Sequence, residues 1–347
     1  MLNFLTSLFS KNLAIDLGTS NTLVYIDGEG VVIRESSVVA IKSKVNEEEK
    51  VLAVGKEAKK MTGKVPQGLT IVRPLRDGVI ADFQVAEKML NYFIAKAYKR
   101  ERLLNPKVVV CVPSGVNEVE KKIVIDTSLK AGAKEAYLIE EPMAAAIGAG
   151  LPIDKPVGNM IVDIGGGTTE IAVISLGGIV TKSSIKVAGD DMDEAIVDYM
   201  REVYKLMIGK KTAERIKTEV GSAYFGPTST VTKESKIEVR GRNLLDGLPK
   251  SIEISALEVQ TALKDPVDSI IRAVKETLEK TPAELSTDII ERGITMAGGG
   301  ALLSGLDELL ANETGVSVYL ADDPLECVVF GTGKVLEELN NLKKALL

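Results

Sequence analysis

Two short segments, about one domain length apart, constrain this chain more than any other feature. Asp16-Leu-Gly-Thr-Ser-Asn-Thr22 and Asp163-Ile-Gly-Gly-Gly-Thr-Thr169 share Asp at the first place, Gly at the third and Thr at the seventh. β-prone residues flank both, so each reads as strand, tight turn, strand. An internal repeat on this scale predicts two lobes of similar design. The length of 347 residues agrees, because single cores stop growing near roughly 250–300 residues. A strand ending in aspartate before a glycine-rich turn suits a metal–phosphate site, since backbone N–H groups there approach phosphate oxygens closely. Gly18, Gly165, Gly166 and Gly167 would supply that backbone, while Thr19, Ser20 and Asn21 add side-chain donors. Asp16 and Asp163 are then natural holders of Mg2+ through its waters.

Helical patterns separate the strands, over Phe83–Lys99, Val116–Ala131, Glu141–Gly150, Asp191–Met207 and Val267–Lys280. Such alternation implies α/β layers around central sheets. Two stretches break it. Residues 37–69 hold a charged hairpin tip, Asn46-Glu-Glu-Glu-Lys50, and residues 226–255 hold strand-like Lys236–Arg240 and Ser251–Ile254. Each reads as a small insertion on its lobe.

Composition narrows the chemistry. The chain has no histidine, which excludes Ser-His-Asp and Cys-His pairs and His-ligated zinc. Catalysis has to use carboxylates, hydroxyls, lysines, backbone amides and a hard metal ion. Cys111 and Cys327 are too few for a disulfide framework and suit a reducing cytosol. A net charge of −6 makes no case for nucleic acid. No run reaches the roughly 20 apolar residues that span a bilayer. The N-terminus also lacks the charge order and cleavage site of a signal peptide, so the chain reads as cytoplasmic.

A third glycine cluster, Met296-Ala-Gly-Gly-Gly-Ala-Leu302, reads as a strand running into a helix. It does not fit G-x-G-x-x-G, and G-x-x-x-x-G-K-[ST] occurs nowhere, so Rossmann and P-loop readings lose support. The order of the pieces resembles the actin, sugar-kinase and DnaK-type chaperone superfamily. In order they are a phosphate loop at Asp16–Thr22, a connecting helix from Glu141-Pro142, a second loop at Asp163–Thr169 and an adenosine loop at Gly298–Ala301. Three further stretches resemble the MreB family of bacterial actins: Arg73-Pro-Leu-Arg-Asp-Gly-Val-Ile-Ala-Asp-Phe83, Val112-Pro-Ser-Gly115 and Glu141-Pro-Met-Ala-Ala-Ala-Ile-Gly-Ala-Gly150. The likeness covers essentially the whole chain.

The resemblance implies an actin-like two-lobed α/β fold, with duplicated ribonuclease-H-like domains around a nucleotide cleft. It implies ATP and Mg2+ as cofactors, and slow ATP hydrolysis coupled to polymerisation. By the same resemblance Glu141 orients or deprotonates the attacking water and Thr168 helps to place it. A carboxylate can do this without histidine, because phosphoryl transfer to water needs mainly positioning and charge stabilisation. Read alone, Glu141 is equally a helix N-terminal carboxylate favoured by the dipole. The run Glu214, Arg215, Ile216, Lys217 corresponds to adenine and ribose contacts, and Gly298, Gly299, Gly300 and Ala301 to adenosine contacts. Without the resemblance, Glu214 and Lys217 are an i, i+3 pair on a solvated helix face.

The expected division follows that frame. Residues 13–36 and 70–150 form the first lobe, with 37–69 inserted; residues 151–188 and 256–347 form the second, with 189–255 inserted. Residues 1–12 stand apart, because Leu2, Phe4, Leu5, Leu8 and Phe9 gather on one helical face opposite polar residues. The segment resembles the membrane anchor of some family members and would bind the cytoplasmic face of the inner membrane by burial. By the same resemblance, Leu103 and Leu104, an apolar pair in a polar stretch, would make a second membrane contact. The implied partners are copies of the chain, in paired antiparallel filaments, and the cell-wall elongation machinery, with rod cell shape as the outcome and no nucleic acid. Two rival readings stay open: a plasmid-segregating actin-like ATPase and a nucleotide-binding scaffold that never hydrolyses. A sugar kinase would need an inserted sugar-binding segment, and a chaperone a larger second-lobe insertion and a following peptide-binding domain.

Overall fold

A computed structural model of the chain describes residues 12–42, 50–98, 105–227, 229, 231–338 and 346–347. The first repeat opens it. β1 (Leu13–Leu17), β2 (Asn21–Ile26) and β3 (Gly30–Ser36) form an antiparallel meander. Gly28 and Gly30 turn the second hairpin at φ 77 and φ 81, a region open to glycine. A small sheet follows, of β4 (Val39–Lys42), β5 (Lys50–Val54) and β6 (Leu69–Val72), with α1 (Lys56–Met61). It has its own core around Val38, Ala40 and Ala58. Of the expected hairpin tip, Asn46–Lys50, residues 46–49 lie outside the described residues and Lys50 opens β5.

The rest of the first lobe comprises β7 (Leu75–Arg76), β8 (Val79–Ile80), α2 (Phe83–Ala97), β9 (Lys107–Val112), α3 (Glu118–Lys130), β10 (Glu135–Glu140) and α4 (Glu141–Gly148). Local chemistry starts these helices. The Asp82 side chain caps α2 by accepting from the Val85 N–H at 3.0 Å, and Asn117 with Glu120 forms a capping box on α3. α2 then buries Val85, Met89, Leu90 and Phe93 on one face.

The second lobe repeats the plan with β11 (Asn159–Ile164), β12 (Thr169–Ser175) and β13 (Gly178–Ile185). It continues through α5 (Gly189–Tyr204), β14 (Leu206–Met207), α6 (Lys210–Val220), β15 (Lys236–Asn243), β16 (Pro249–Ser255), α7 (Ala256–Glu279) and α8 (Ala283–Arg292). β17 (Ile294–Ala297), α9 (Leu306–Thr314), β18 (Val318–Leu320) and α10 (Cys327–Glu337) close it. The two large sheets have one topology. Their orders are β3-β2-β1-β9-β10 and β13-β12-β11-β17-β18, with the outer meander antiparallel and the last two strands parallel. The expected two-lobed α/β fold is the one observed.

Two local expectations change. α7 starts at Ala256 rather than Val267, launched by a Ser255–Glu258 capping box, and it carries Pro266 in its interior. A proline removes one helical hydrogen bond, but burial of Ala256, Val259 and Leu263 against the lobe core holds the extra turns. The third glycine cluster runs not into a helix but into a 3-10 turn, Gly300–Leu302, and α9 begins only at Leu306. Residues 189–255, expected as an insertion, share the main core of this lobe, since Ile196, Ile216, Val239 and Ile254 pack with Val162 and Ile171.

α4 and α10 join the lobes. Their contact is so close that a Cβ on Gly148 would collide with the Cys327 carbonyl, and one on Gly331 with the Ala144 carbonyl. Ala144, Ala145, Val328 and Val335 then fill a core shared by both sheets, with Ala14 from one and Ile161 from the other.

Candidate functional site

Equivalent turns of the two repeats face one another. A Cβ on Gly166 would collide with Ser20 Oγ, and one on Gly167 would lie 2.6 Å from Thr19 Oγ1. One loop brings hydroxyls and the other brings the glycines that make room for them. Around this contact opens a cleft of about 350 Å³, within the usual size of small-molecule sites. Asp16, Gly18, Thr19, Ser20 and Asn21 line it from the first lobe, with Glu141 from the start of α4. Asp163, Gly165, Gly166, Gly167, Thr168, Glu214, Lys217, Gly298, Gly299 and Gly300 line it from the second.

Three expected contacts lie elsewhere. Ile216 is in the second-lobe core and Ala301 is buried beneath the glycine turn. Arg215 faces outward, donating to the Glu238 carbonyl at 3.0 Å and pairing with Glu219 at 3.4 Å. Helix geometry is the reason: along α6, positions 214 and 217 share a face, whereas 215 and 216 are rotated away from it.

The floor of the cleft is acidic and buried. Asp16, near the end of β1, receives a hydrogen bond from Cys111 Sγ at 3.3 Å. Burial pushes its pKa up to about 6, and the Cys111 bond opposes that rise. Asp163, in the matching place on β11, is pushed up to about 8 by burial and by the negative charges of Asp16 and Glu170. Glu141 is held well above the usual carboxylate range by burial, then by Glu170, Asp163 and Asp16. Three carboxylates in one desolvated space favour a bound cation or shared protons.

Backbone bonds hold the glycine loop. The Gly165 N–H donates to the Thr168 carbonyl at 2.9 Å, and the Asp190 N–H at the start of α5 donates to the Gly166 carbonyl at 2.7 Å. Lys217 braces the same helix, donating to the Gly189 carbonyl at 2.6 Å and pairing with Asp193 at 2.8 Å.

Several lining residues were not anticipated. Lys59 on α1 reaches across the mouth to Glu214 at 2.8 Å. Arg73 pairs with Asp190 at 2.8 Å, and Ser20 Oγ donates to the other oxygen of Asp190 at 3.3 Å. Arg73 opens one of the motif stretches, which was a signal; Lys59, alone in an insertion, left none. Leu2, Phe4, Leu5, Leu8, Phe9, Leu103 and Leu104 lie outside the described residues. Among the described residues no helix is long and apolar enough to cross a membrane.

The family model of the MreB/Mbl protein matches residues 10–344. The chain is 50% identical over 342 residues to the cell shape-determining protein MreB of Escherichia coli (strain K12), covering 98% of this chain and 97% of that protein. It is 48% identical over 340 residues to the cell shape-determining protein Mbl of Bacillus subtilis (strain 168), covering 98% and 100%. Among solved structures, the crystal structure of MreB 5 of Spiroplasma citri bound to AMPPNP superimposes with a TM-score of 0.89 at 38% identity, covering 95% of this chain and 97% of that one.

Proposed function

The chain belongs to the MreB/Mbl family, and from that premise we propose that its cleft binds ATP with Mg2+, hydrolyses the nucleotide slowly, and thereby governs assembly of copies of the chain into filaments. It is an actin-like cytoskeletal protein of the cell-shape-determining class. The observation that carries the nucleotide reading is the apposition of the two loops, with glycine amides on one side and hydroxyls on the other. The relative from Spiroplasma citri was crystallised with AMPPNP and also with ADP.

The donor set fits Mg2+ in one particular way. Among the described residues no three cysteine, aspartate or glutamate side chains form a metal cage, yet two aspartates, Asp163 buried and Asp16 half-buried, face one cleft. Mg2+ keeps several waters and uses few protein carboxylates, so Asp16 and Asp163 would hold the hydrated ion. Bound there, the ion would neutralise charge between the phosphates and the two aspartates. The chain's own residues do the rest. Backbone amides of Gly166 and Gly167 bind phosphate oxygens, with Gly165 closing the turn through its bond to Thr168, while Thr19 and Ser20 close on them from the other lobe. Glu141, whose proton affinity is raised, accepts the proton of the attacking water, and Thr168 orients that water. Glu214 and Lys217 meet the nucleoside.

Filaments of this kind would lie on the inner face of the cell membrane, anchored by residues 2–9, pair antiparallel and organise cell-wall elongation. One experiment tests the whole reading: the full chain with ATP, Mg2+ and lipid vesicles, followed by phosphate release and electron microscopy. Phosphate release with filaments on vesicles is expected. Bound ATP with no phosphate release would favour a non-hydrolysing scaffold, and unchanged vesicle binding after deletion of residues 2–9 would remove the anchor.

A further inference from the structure

Glu170 is a buried carboxylate, 1% exposed, to which the mechanism above gives no task. It stands on β12 directly opposite Asp163, where the first lobe places Leu23 opposite Asp16. A carboxylate removed from water needs donors, and both its oxygens have them. Ser184 Oγ on the adjacent β13 donates to Oε1 at 2.6 Å, and the Ser114 backbone N–H donates to Oε2 at 3.1 Å. The second donor belongs to the other lobe. Ser114 lies in the turn after β9, and β9 pairs along its length with β10, which ends at Glu140 and leads into Glu141. A second link reaches the same junction, for Lys182 on β13 donates to both oxygens of Glu140, at 2.9 and 2.7 Å. The β12–β13 pair therefore grips the base of the Glu141 helix at two points, and Glu170 is the buried one. Of the carboxylates around Glu141, Glu170 acts on it most strongly, ahead of Asp163 and Asp16.

We infer that Glu170 is a positioning residue for the hydrolysis proposed above, an inference that rests on that reading: by holding the Ser114 turn against β12 it fixes where Glu141 stands relative to the second phosphate loop. Nucleotide binding depends on the glycine amides and the hydroxyl loop, which do not use Glu170. Turnover depends on the Glu141 position, which does.

The test uses the full chain with ATP and Mg2+, measuring phosphate release at saturating ATP, nucleotide affinity and melting temperature for E170A, E170Q and S184A. In E170A turnover is expected to fall at least about tenfold with affinity within about twofold of the parent, the pattern of a lost transition-state interaction. E170Q keeps an oxygen acceptor for the Ser114 N–H, so it recovers to within about threefold of the parent; S184A, losing one donor of two, costs about threefold. Turnover in E170A within about twofold of the parent overturns the inference. So does a parallel loss of affinity and melting temperature in both E170A and E170Q, which would make Glu170 a packing residue. If the parent chain itself binds ATP without releasing phosphate, the hydrolytic reading fails instead, and that result is seen before any variant is made.

Discussion

The two halves of the cleft floor are copies of one design with different chemistry. β1 and β11 hold the central place in matching five-stranded sheets and carry Asp16 and Asp163 in equivalent positions. Their neighbours differ. Across from Asp16 stands Leu23, and Cys111 donates to its carboxylate. Across from Asp163 stands Glu170, and Gly298 approaches so closely that a Cβ would collide with Oδ1. Burial raises Asp16 to about 6 and Asp163 to about 8, with the charges of Asp16 and Glu170 added only at Asp163. The loops differ likewise, one presenting Thr19 and Ser20, the other three glycines. Duplication supplies the backbone, and cross-strand neighbours turn a symmetric frame into an asymmetric clamp.

The largest expected effect is at the residue both halves surround. Glu141→Ala should keep ATP affinity and lower single-turnover phosphate release by about a hundredfold or more, the usual yield of general-base catalysis. Parental turnover in that variant would move the base to another residue. Next comes the contact between the loops. Gly166→Ala drives a methyl group into Ser20, so ATP affinity should fall by about 10- to 100-fold, in line with the cost of overpacking. Ser20→Ala, on the other side of the same contact, should change affinity by no more than about tenfold, the worth of a single hydrogen bond. Equal losses from the two substitutions, measured by nucleotide titration, would break the asymmetry.

The smallest effect is on stability, and its sign follows from the raised pKa values. Each aspartate is protonated more readily in the folded chain than in the unfolded one, so the folded state binds more protons and loses stability as pH rises. Asp16 contributes that loss between about pH 4 and 6, and Asp163 up to about pH 8. Without nucleotide or Mg2+, the chain should melt at a lower temperature at pH 8 than at pH 6. Between pH 6.5 and 8 Asp163→Asn should flatten that slope by up to about 1.4 kcal/mol per pH unit, whereas Asp16→Asn should flatten it less, by removing one of the charges that raise Asp163. Identical melting profiles for the two variants would show that the neighbours do not separate the aspartates.

The parts of the site legible in the sequence were those written in contiguous residues. The two Asp-Gly loops, the Glu141 helix and the Gly298–Gly300 turn all reach the cleft. What a run of residues does not show is the phase of the helix that carries it. Glu214 and Lys217 line the cleft while Arg215 and Ile216, equally part of the run, do not. Partners far apart in sequence were also invisible. Lys59 meets Glu214 across 155 positions, and Arg73 meets Asp190 across 117. Glu170 was hidden for a related reason, since its neighbours Ser114 and Ser184 come from a turn of the other lobe and from the adjacent strand.

The amino-acid sequence by itself determined the duplication, the strand–turn–strand units around Asp16 and Asp163, and a chemistry without histidine. These depend on backbone preferences and residue types that act over a few positions. The tertiary structure alone decided which side chains share the cleft, that Asp163 carries more negative charge beside it than Asp16, and that Glu170 ties one lobe to the other. Burial and charge depend on what folds against a residue, and here those neighbours arrive from other strands and from the opposite lobe.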